Sequence, residues 1–415
     1  MADLGVIAAV LLAYALISRP LERTMVTAPM VFVAAGIIAG PKVLGIVGLE
    51  ITSGPGLVVA ELALVVVLFS DASRIDLRIL RGNANLPARL LAIGMPLTIG
   101  AGVLAAALLV ADLKFWEGAV LAAILAPTDA ALGKAVVSSE VIPQRIRQAL
   151  NVESGLNDGL SVPFLFLFLA LAVEQTTEAG DWVRFAVEQI GIGAAVGIAA
   201  GGIGGWAIDR AVRRDMVTGT FSQLSIFALA VVAWATAGEL DGNGFIAAFV
   251  GGLVAGRITP TTGRHILDFA EDEGELLNLA VFFIFGVAAL EFLEAVTWEI
   301  ALFALLSLTV IRMAPVAISL LGAGLRAESI AFIAWFGPRG LASIILALVV
   351  VEEEPELPAI DLLLAAMALT VLASVVAHGV TARPLTRVYG RRMSRMAPEA
   401  PEMQTHQEIP VRGAG

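Results

Sequence analysis

Long apolar runs, each followed by a short polar cluster, recur along the whole chain. Most runs approach the ~20 residues that an α-helix needs to cross the hydrocarbon core of a bilayer. Because lipid cannot satisfy a bare backbone, such runs predict membrane-spanning helices. The pattern predicts an all-α polytopic membrane protein of thirteen helices, at residues 4–18, 26–48, 55–73, 87–111, 115–137, 146–173, 182–208, 219–238, 243–257, 275–293, 298–323, 328–350 and 360–382.

Positive residues divide unevenly between alternate polar clusters. If the N-terminus lies outside, the cytoplasmic clusters hold twenty arginines, whereas the outer clusters hold only Lys42, Lys114 and Arg184. Lysine and arginine concentrate on the cytoplasmic side of membrane proteins. The asymmetry therefore favours thirteen helices, with the N-terminus outside and the C-terminus in the cytoplasm.

The composition agrees with a membrane protein. Of the 415 residues, 58% are hydrophobic and only 15% are charged, against about a quarter in soluble domains, and the mean hydropathy is +0.89. The absence of cysteine excludes a disulfide framework, a thiolate metal site and a cysteine nucleophile. The three histidines show no metal-ligand spacing and no convincing Ser–His pair is visible, so an enzyme is not expected.

Two of the predicted helices contain a proline beside a charged residue. The fifth holds Ala126-Pro127-Thr128-Asp129-Ala130 and the twelfth holds Phe336-Gly337-Pro338-Arg339-Gly340. Proline removes a backbone donor and clashes with the preceding turn, so both helices are expected to unwind there. Breaks seven helices apart indicate an inverted repeat in which helices 1–6 match helices 8–13, a construction that places ion sites at the bilayer midplane. The alternative is two unrelated kinks.

The two charges beside the prolines suit such a pair of broken helices. The N-terminus of a half-helix carries partial positive charge, and its C-terminus carries partial negative charge. Asp129 is therefore expected to face the positive ends and Arg339 the negative ends. Each charge would then offset a dipole that lipid does not screen.

The sixth helix holds the sequence Glu-Ser-Gly-Leu-Asn-Asp at residues 153–158. An ionisable residue inside a bilayer is costly and indicates a functional site. Ser154 and Asp158 are four residues apart and share one helix face, while Glu153 and Asn157 share the adjacent face. Hydroxyl and carboxylate oxygens on one face suit a hard cation such as Na⁺. Unwound carbonyls of the fifth helix would complete its shell.

The second carboxylate of the motif in the sixth helix, Glu153, needs a partner. Arg312 lies inside the eleventh helix, where an unpaired guanidinium would be very costly. We expect Glu153 and Arg312 to form a structural ion pair, leaving Asp158 as the carboxylate of the sixth helix that titrates. The competing pairing, Asp158 with Arg312, would abolish ion binding.

Four segments together resemble the monovalent cation:proton antiporter superfamily, in the branch that holds sodium/proton exchangers. They are Pro127-Thr128-Asp129, the motif at 153–158, the intramembrane Arg312, and Gly337-Pro338-Arg339-Gly340. Two positions depart from the family pattern: Ala130 stands where Pro is frequent, and Pro338 where Leu is more usual. The resemblance spans residues 5–390, nearly the whole chain.

The resemblance implies a homodimer in the cell (inner) membrane, in which a core domain slides against a dimerisation domain. Helices 1–3 (residues 1–75) and helices 8–10, with helix 7 as the linker (176–295), would form the dimerisation domain. Helices 4–6 (76–175) and 11–13 (296–390) would form the core domain. Residues 391–415 would be a short cytoplasmic tail.

By position, the resemblance also implies the ion site. Asp158 would bind the cation and the proton in turn, and Ser154 and the Thr128 backbone would supply Na⁺ ligands. Asn157 stands where electrogenic relatives have aspartate, and Arg312 where they have lysine, which implies electroneutral one-for-one exchange. Neither a cofactor beyond the transported Na⁺ and H⁺ nor a nucleic-acid partner is expected.

Asp129 would lie beside the helix crossing and contribute to cation and proton binding, with Arg339 compensating the other dipole ends. Glu153 and Arg312 would be the stabilising ion pair. Asp71, at the cytoplasmic end of the third helix, would line the entry to the site, or it is a solvated helix end beside Arg74.

The expected activity is Na⁺/H⁺ antiport by an elevator-type movement, with Li⁺ or K⁺ as other cations. A K⁺/H⁺ antiporter is the first alternative. A passive channel would need rings of carbonyls or charges around a pore, and a solute symporter is disfavoured by the Asn-Asp cation motif.

Overall fold

The computed structural model describes residues 2–21, 23–48, 52, 54–74, 85–174, 182–258, 263–354, 356–396 and 400–403. Every regular element among them is helical, and the thirteen predicted helices are confirmed. They are α1 (Ala2–Leu21), α2 (Ala28–Ala39), α3 (Gly54–Ser73), α4 (85–109), α5 (Phe115–Ile124 and Ala130–Val137), α6 (Gln144–Glu174), α7 (Trp182–Arg213), α8 (Gly219–Glu239), α9 (Gly244–Ile258), α10 (Gly263–Phe292), α11 (Trp298–Leu308 and Val310–Ser319), α12 (Ala327–Trp335 and Leu341–Glu353) and α13 (Ile360–Met393).

Length and hydropathy separate these helices into two groups. In the part of the chain that the structure describes, nine helices are long and apolar enough to cross a bilayer. The others are α2 and α9, which are short apolar helices, and α5 and α12, which are each divided into two halves. The helices α5 and α12 are the two that contain the predicted proline breaks.

Several helix ends differ from the hydropathy pattern. The run at 26–48 forms a helix only to Ala39, and turns follow it from Gly40. In contrast, α10 begins twelve residues before the expected 275, at Gly263, and α13 continues past 382 to Met393. Hydropathy marks where a segment leaves the apolar layer, whereas a helix continues into water as long as its hydrogen bonds and a packed face support it.

The helix α11 contains an interruption that hydropathy did not predict. Its two segments are separated at Thr309, whose backbone leaves the helical region with φ −116° and ψ −97°. The Thr309 hydroxyl donates a hydrogen bond to the Leu305 carbonyl at 2.7 Å, a contact that bends helices. The second segment, Val310–Ser319, carries Arg312.

Glycines let several helices cross with their backbones in contact. At the crossing of α2 and α10, Gly36 lies against the Phe283 carbonyl and Gly286 lies against the Val33 carbonyl. A Cβ atom at Gly286 would also meet the Gly36 Cα at 3.1 Å. Small residues are the means by which membrane helices approach closely, because lipid supplies no hydrophobic drive for their association.

This crossing gives a stability prediction. We expect Gly286→Ala to lower the free energy of unfolding by about 1–3 kcal/mol, because the added methyl group must push two backbones apart. Thermal unfolding of the detergent-solubilised protein measures the effect. The matched control is Gly100→Ala in α4, where a Cβ atom would meet nothing within 4 Å. Equal midpoints for the two variants would contradict the packing argument.

Candidate functional site

The interrupted segments of α5 and α12 meet. The first half of α5 ends at Ile124 and the second begins at Ala130, while α12 is interrupted between Trp335 and Leu341. The backbone N–H of Asp129 donates a hydrogen bond to the Pro338 carbonyl at 2.7 Å. The two proline-containing segments therefore touch directly, as a crossing of two broken helices requires.

The Asp129 carboxylate faces the beginnings of two half-helices. Its Oδ2 accepts a hydrogen bond from the Leu341 N–H at 2.8 Å, and its Oδ1 accepts one from the Leu132 N–H at 3.3 Å. These donors lie in the first turns of the second halves of α12 and α5. A Cβ atom at Gly340 would fall on the carboxylate, so glycine is needed there. The negative charge thus offsets two positive dipole ends.

The Arg339 guanidinium makes the converse contact. Its Nη1 donates hydrogen bonds to the carbonyl oxygens of Ala126 at 2.6 Å and Pro127 at 2.8 Å, which follow the first half of α5. The residue is fully buried. The positive charge thus offsets a negative dipole end in a place that water does not reach.

The polar face of α6 packs against the same interruption of α5. The hydroxyl oxygens of Thr128 and Ser154 are 3.0 Å apart, and the Asn157 Nδ2 donates a hydrogen bond to the Thr128 Oγ1 at 2.6 Å. Asp158 is the next residue along α6 and is buried with them. Hydroxyl and amide groups of α5 and α6 therefore gather at the point where α5 lacks helical hydrogen bonds, and Asp158 lies on α6 one turn beyond Ser154.

The position of Asn157 differs from the expectation based on i,i+4 spacing. That spacing put Asn157 on the face of Glu153, whereas the structure puts it with Ser154, three residues before it. Residues at i,i+3 are also neighbours on a helix, so both assignments were open to the sequence. The Asn157 Oδ1 is buried and has no hydrogen-bond partner among the described residues, which leaves it as an acceptor for a cation.

Glu153 binds Arg312 of α11. The Arg312 Nη1 and the Glu153 Oε1 are 2.6 Å apart, and each side chain is only 3% exposed. A Cβ atom at Gly337 would meet the Arg312 Cζ at 2.8 Å, so the guanidinium lies directly against the interruption of α12. The ion pair thus connects α6, α11 and α12.

Two helices outside the predicted core domain reach α6 beside the site. A Cβ atom at Gly155 would lie 3.6 Å from the Asp71 Cβ, and a Cβ atom at Gly159 would fall on the Phe249 ring. Asp71 of α3 therefore lies against Gly155, the residue that follows Ser154 in the sequence. Phe249 was not singled out from the sequence, because a phenylalanine inside an apolar helix carries no signal of its own.

A charged contact also connects α5 to α10. The Lys134 Nζ lies 2.8 Å from the Glu275 Oε2, and both side chains are 41% exposed. Because exposed ion pairs contribute little, this pair adds a contact between the two helices rather than a large stability term.

The buried ion pair gives the second stability prediction. We expect Glu153→Gln to lower the free energy of unfolding by about 3–5 kcal/mol, because it leaves the Arg312 guanidinium buried and uncompensated. The control is Glu188→Gln in α7, which breaks an exposed pair with Arg184 at 2.8 Å and should cost far less, because exposed ion pairs contribute little. Chemical unfolding in detergent compares the two. Similar losses would mean that Arg312 does not depend on Glu153.

The amino-acid sequence also matches a known protein family. A family model described as "Sodium/hydrogen exchanger, transmembrane" matches residues 6–388. The K(+)/H(+) antiporter NhaP2 of Shewanella baltica (strain OS223) is 29% identical over 350 residues, which cover 82% of this chain and 59% of that protein. The K(+)/H(+) antiporter NhaP of Alkalimonas amylolytica is 28% identical over 326 residues, covering 77% and 55%. The chain thus spans between half and three fifths of the length of these relatives.

A solved structure supports the fold. The sodium proton antiporter MjNhaP1 from Methanocaldococcus jannaschii superposes with a TM-score of 0.77 at 20% identity, covering 94% of this chain and 98% of that one. The match of the family model from residue 6 to residue 388 leads to one conclusion: this chain belongs to the sodium/hydrogen exchanger family of membrane proteins.

Proposed function

We propose that the protein exchanges a monovalent cation for a proton across the membrane. The observation that carries this proposal is the contact of Thr128 with Ser154 and Asn157 at the interruption of α5, one helical turn from the buried Asp158. It combines oxygen atoms of the kind that hard cations prefer with a buried carboxylate that can take up a proton. Competition between the two ligands at one carboxylate is the simplest chemistry that this set of side chains supports.

The charges around the cluster support one proton for one cation. Glu153 is neutralised by Arg312, and the Asp129 carboxylate accepts backbone hydrogen bonds from two half-helix N-termini. We assign the change of protonation state to Asp158, and Asn157 beside it in the sequence is a neutral amide. The site is then neutral with either a proton or a monovalent cation bound, so exchange is electroneutral.

The net charge of the site with and without a bound ligand also supports alternating access. A site whose carboxylate carries neither ligand bears a net negative charge, and moving it through the apolar layer is costly. A loaded site is neutral and crosses. In the elevator movement that we propose, α4–α6 and α11–α13 move as the core domain against α1–α3 and α7–α10 in a homodimer. Gly155 and Gly159 give α6 a smooth surface against Asp71 and Phe249.

Na⁺ is the cation that we propose, with Li⁺ as a second substrate. K⁺ is the specific rival, because the relatives NhaP2 and NhaP are named K(+)/H(+) antiporters. We further propose that the protein lies in the cell (inner) membrane with its N-terminus outside, and that it needs no cofactor.

The experiment that tests the function uses liposomes containing the purified protein and a pH-sensitive dye. Na⁺, Li⁺ and K⁺ are added in turn, with and without an imposed membrane potential. We expect a cation-dependent pH change that the potential does not alter. Cation flux without proton movement would support a channel instead, and a requirement for an added organic solute would support a symporter.

The first functional prediction concerns the carboxylate. Asp158→Asn should abolish cation-dependent pH change while leaving a folded protein, because a neutral amide can neither bind the proton nor balance the cation. The control is Asp361→Asn, which replaces an exposed aspartate in the first turn of α13 and should keep the wild-type rate. Exchange by the Asp158→Asn protein would contradict the assignment.

A proton and a cation that both bind Asp158 should compete with each other. On the acid side of the profile, where Asp158 is protonated, the half-saturating cation concentration should rise tenfold for each unit fall in pH. The maximal rate at saturating cation should change much less. Initial rates over a matrix of pH and cation concentration measure both quantities. A half-saturating concentration that is independent of pH would mean that proton and cation bind at separate places.

A further inference from the structure

Two polar residues of α13 lie against the interruption of α12. Ser374 is fully buried and His378 is 1% exposed, and their spacing of four residues puts them on one face. The Ser374 Oγ accepts a hydrogen bond from the Arg339 N–H at 2.7 Å. The His378 Nε2 lies 3.0 Å from the Trp335 carbonyl oxygen. The pair therefore contacts the unwound segment on both sides of Gly337 and Pro338.

The bonding partners determine the tautomer of the His378 ring. A carbonyl oxygen only accepts hydrogen bonds, so the Nε2 must carry a proton and donate it to Trp335. The Ser374 Oγ, which accepts from Arg339, donates its own hydrogen to the His378 Nδ1 at 3.1 Å. A charged ring would instead donate from Nδ1 to the Ser374 carbonyl oxygen, 3.0 Å away. That would place an unpaired cation near the buried Arg339, which is costly.

These contacts form one continuous chain of hydrogen bonds. It runs from the Arg339 N–H to the Ser374 hydroxyl, then to the His378 ring, and ends at the Trp335 carbonyl. Both end groups belong to backbone that the interruption of α12 removes from helical pairing. A further bond holds the same helix end, because the Trp335 Nε1 donates to the Thr381 Oγ1 at 3.0 Å.

Arg339 links these hydrogen bonds of α13 to the cluster of Thr128, Ser154 and Asn157. Ser374 holds the Arg339 backbone, and the Arg339 guanidinium donates to the Ala126 and Pro127 carbonyl oxygens. The next residue of α5 is Thr128, whose hydroxyl contacts Ser154 and Asn157. A displacement of the α12 backbone at Arg339 therefore passes to the segment that carries Thr128.

We propose that Ser374 and His378 are positioning residues for cation binding. They fix the unwound segment of α12 and, through Arg339, the cation-binding segment of α5. This inference rests on the proposed antiport function for its transport readout. It also assigns His378 a neutral ring in the working protein, so that the ring contributes hydrogen bonds and not a charge change.

The test compares four variants by their half-saturating cation concentration in liposomes. We expect Ser374→Ala and His378→Ala to raise that concentration by about 10- to 100-fold, the usual effect of removing a group that orients a metal ligand. His378→Gln keeps a donor near the Nε2 position and should recover part of the loss. The control is Thr370→Val, because Thr370 is fully buried on the same helix and, among the residues that the structure describes, its hydroxyl bonds only the Ala366 carbonyl of that helix.

A second measurement is independent of transport. Hydrogen–deuterium exchange of the peptide covering residues 335–341 should become faster in Ser374→Ala and His378→Ala than in the wild type, and should stay unchanged in Thr370→Val. Unchanged deuterium uptake in all variants would overturn the inference. Faster uptake with an unchanged half-saturating concentration would also overturn it, because the contacts would then be structural only. A wild-type protein without exchange activity would count against the proposed function alone.

Discussion

Breaking a helix inside a membrane exposes backbone groups and dipole ends that lipid cannot satisfy, and the rest of this structure depends on how that cost is met. Two helices, α5 and α12, are broken where they touch. Asp129 binds the N–H groups that begin two half-helices, and Arg339 binds the carbonyl oxygens that end another. Each charge is thus held by the backbone of the opposite helix, so neither break is stable without the other.

Asp129 and Arg339 are held at the helix crossing, and the other buried charges have separate roles. Arg312 lies against Gly337 and is neutralised by Glu153, which connects three helices. Asp158, which is buried one turn beyond Ser154 on α6, is the carboxylate to which we assign the exchange. The exchange that we propose follows from this division, because a single carboxylate cannot hold a proton and a cation at the same time.

The sequence predicted these features where a charge or a proline marked them. Pro127 and Pro338 located the breaks, and the spacing between them indicated the repeat. The sign of Asp129 and of Arg339 indicated which dipole ends each would face. The cost of a buried charge indicated that Arg312 needs a partner, and Glu153 was chosen because Asp158 shares a helix face with Ser154; the structure contains the Glu153–Arg312 pair.

Other features carried no such mark. The place of Asn157 depended on whether the i+3 or the i+4 neighbour faces α5, which helical spacing alone does not decide. Ser374 and His378 lie in an apolar helix and gain their meaning only from the two backbone groups opposite them. The extensions of α10 to Gly263 and of α13 to Met393 were missed because hydropathy locates the bilayer boundary and not the end of a helix.

The most direct test of the central claim, that proton and cation compete for Asp158, is a count of the protons released when the purified protein binds its cation. Isothermal titration calorimetry in buffers of different ionisation enthalpy measures this number. In the pH range where Asp158 is protonated before binding, we predict one proton released for each cation bound, and no release from the Asp158→Asn protein. Cation binding by the wild type with no proton released over that range would contradict the account.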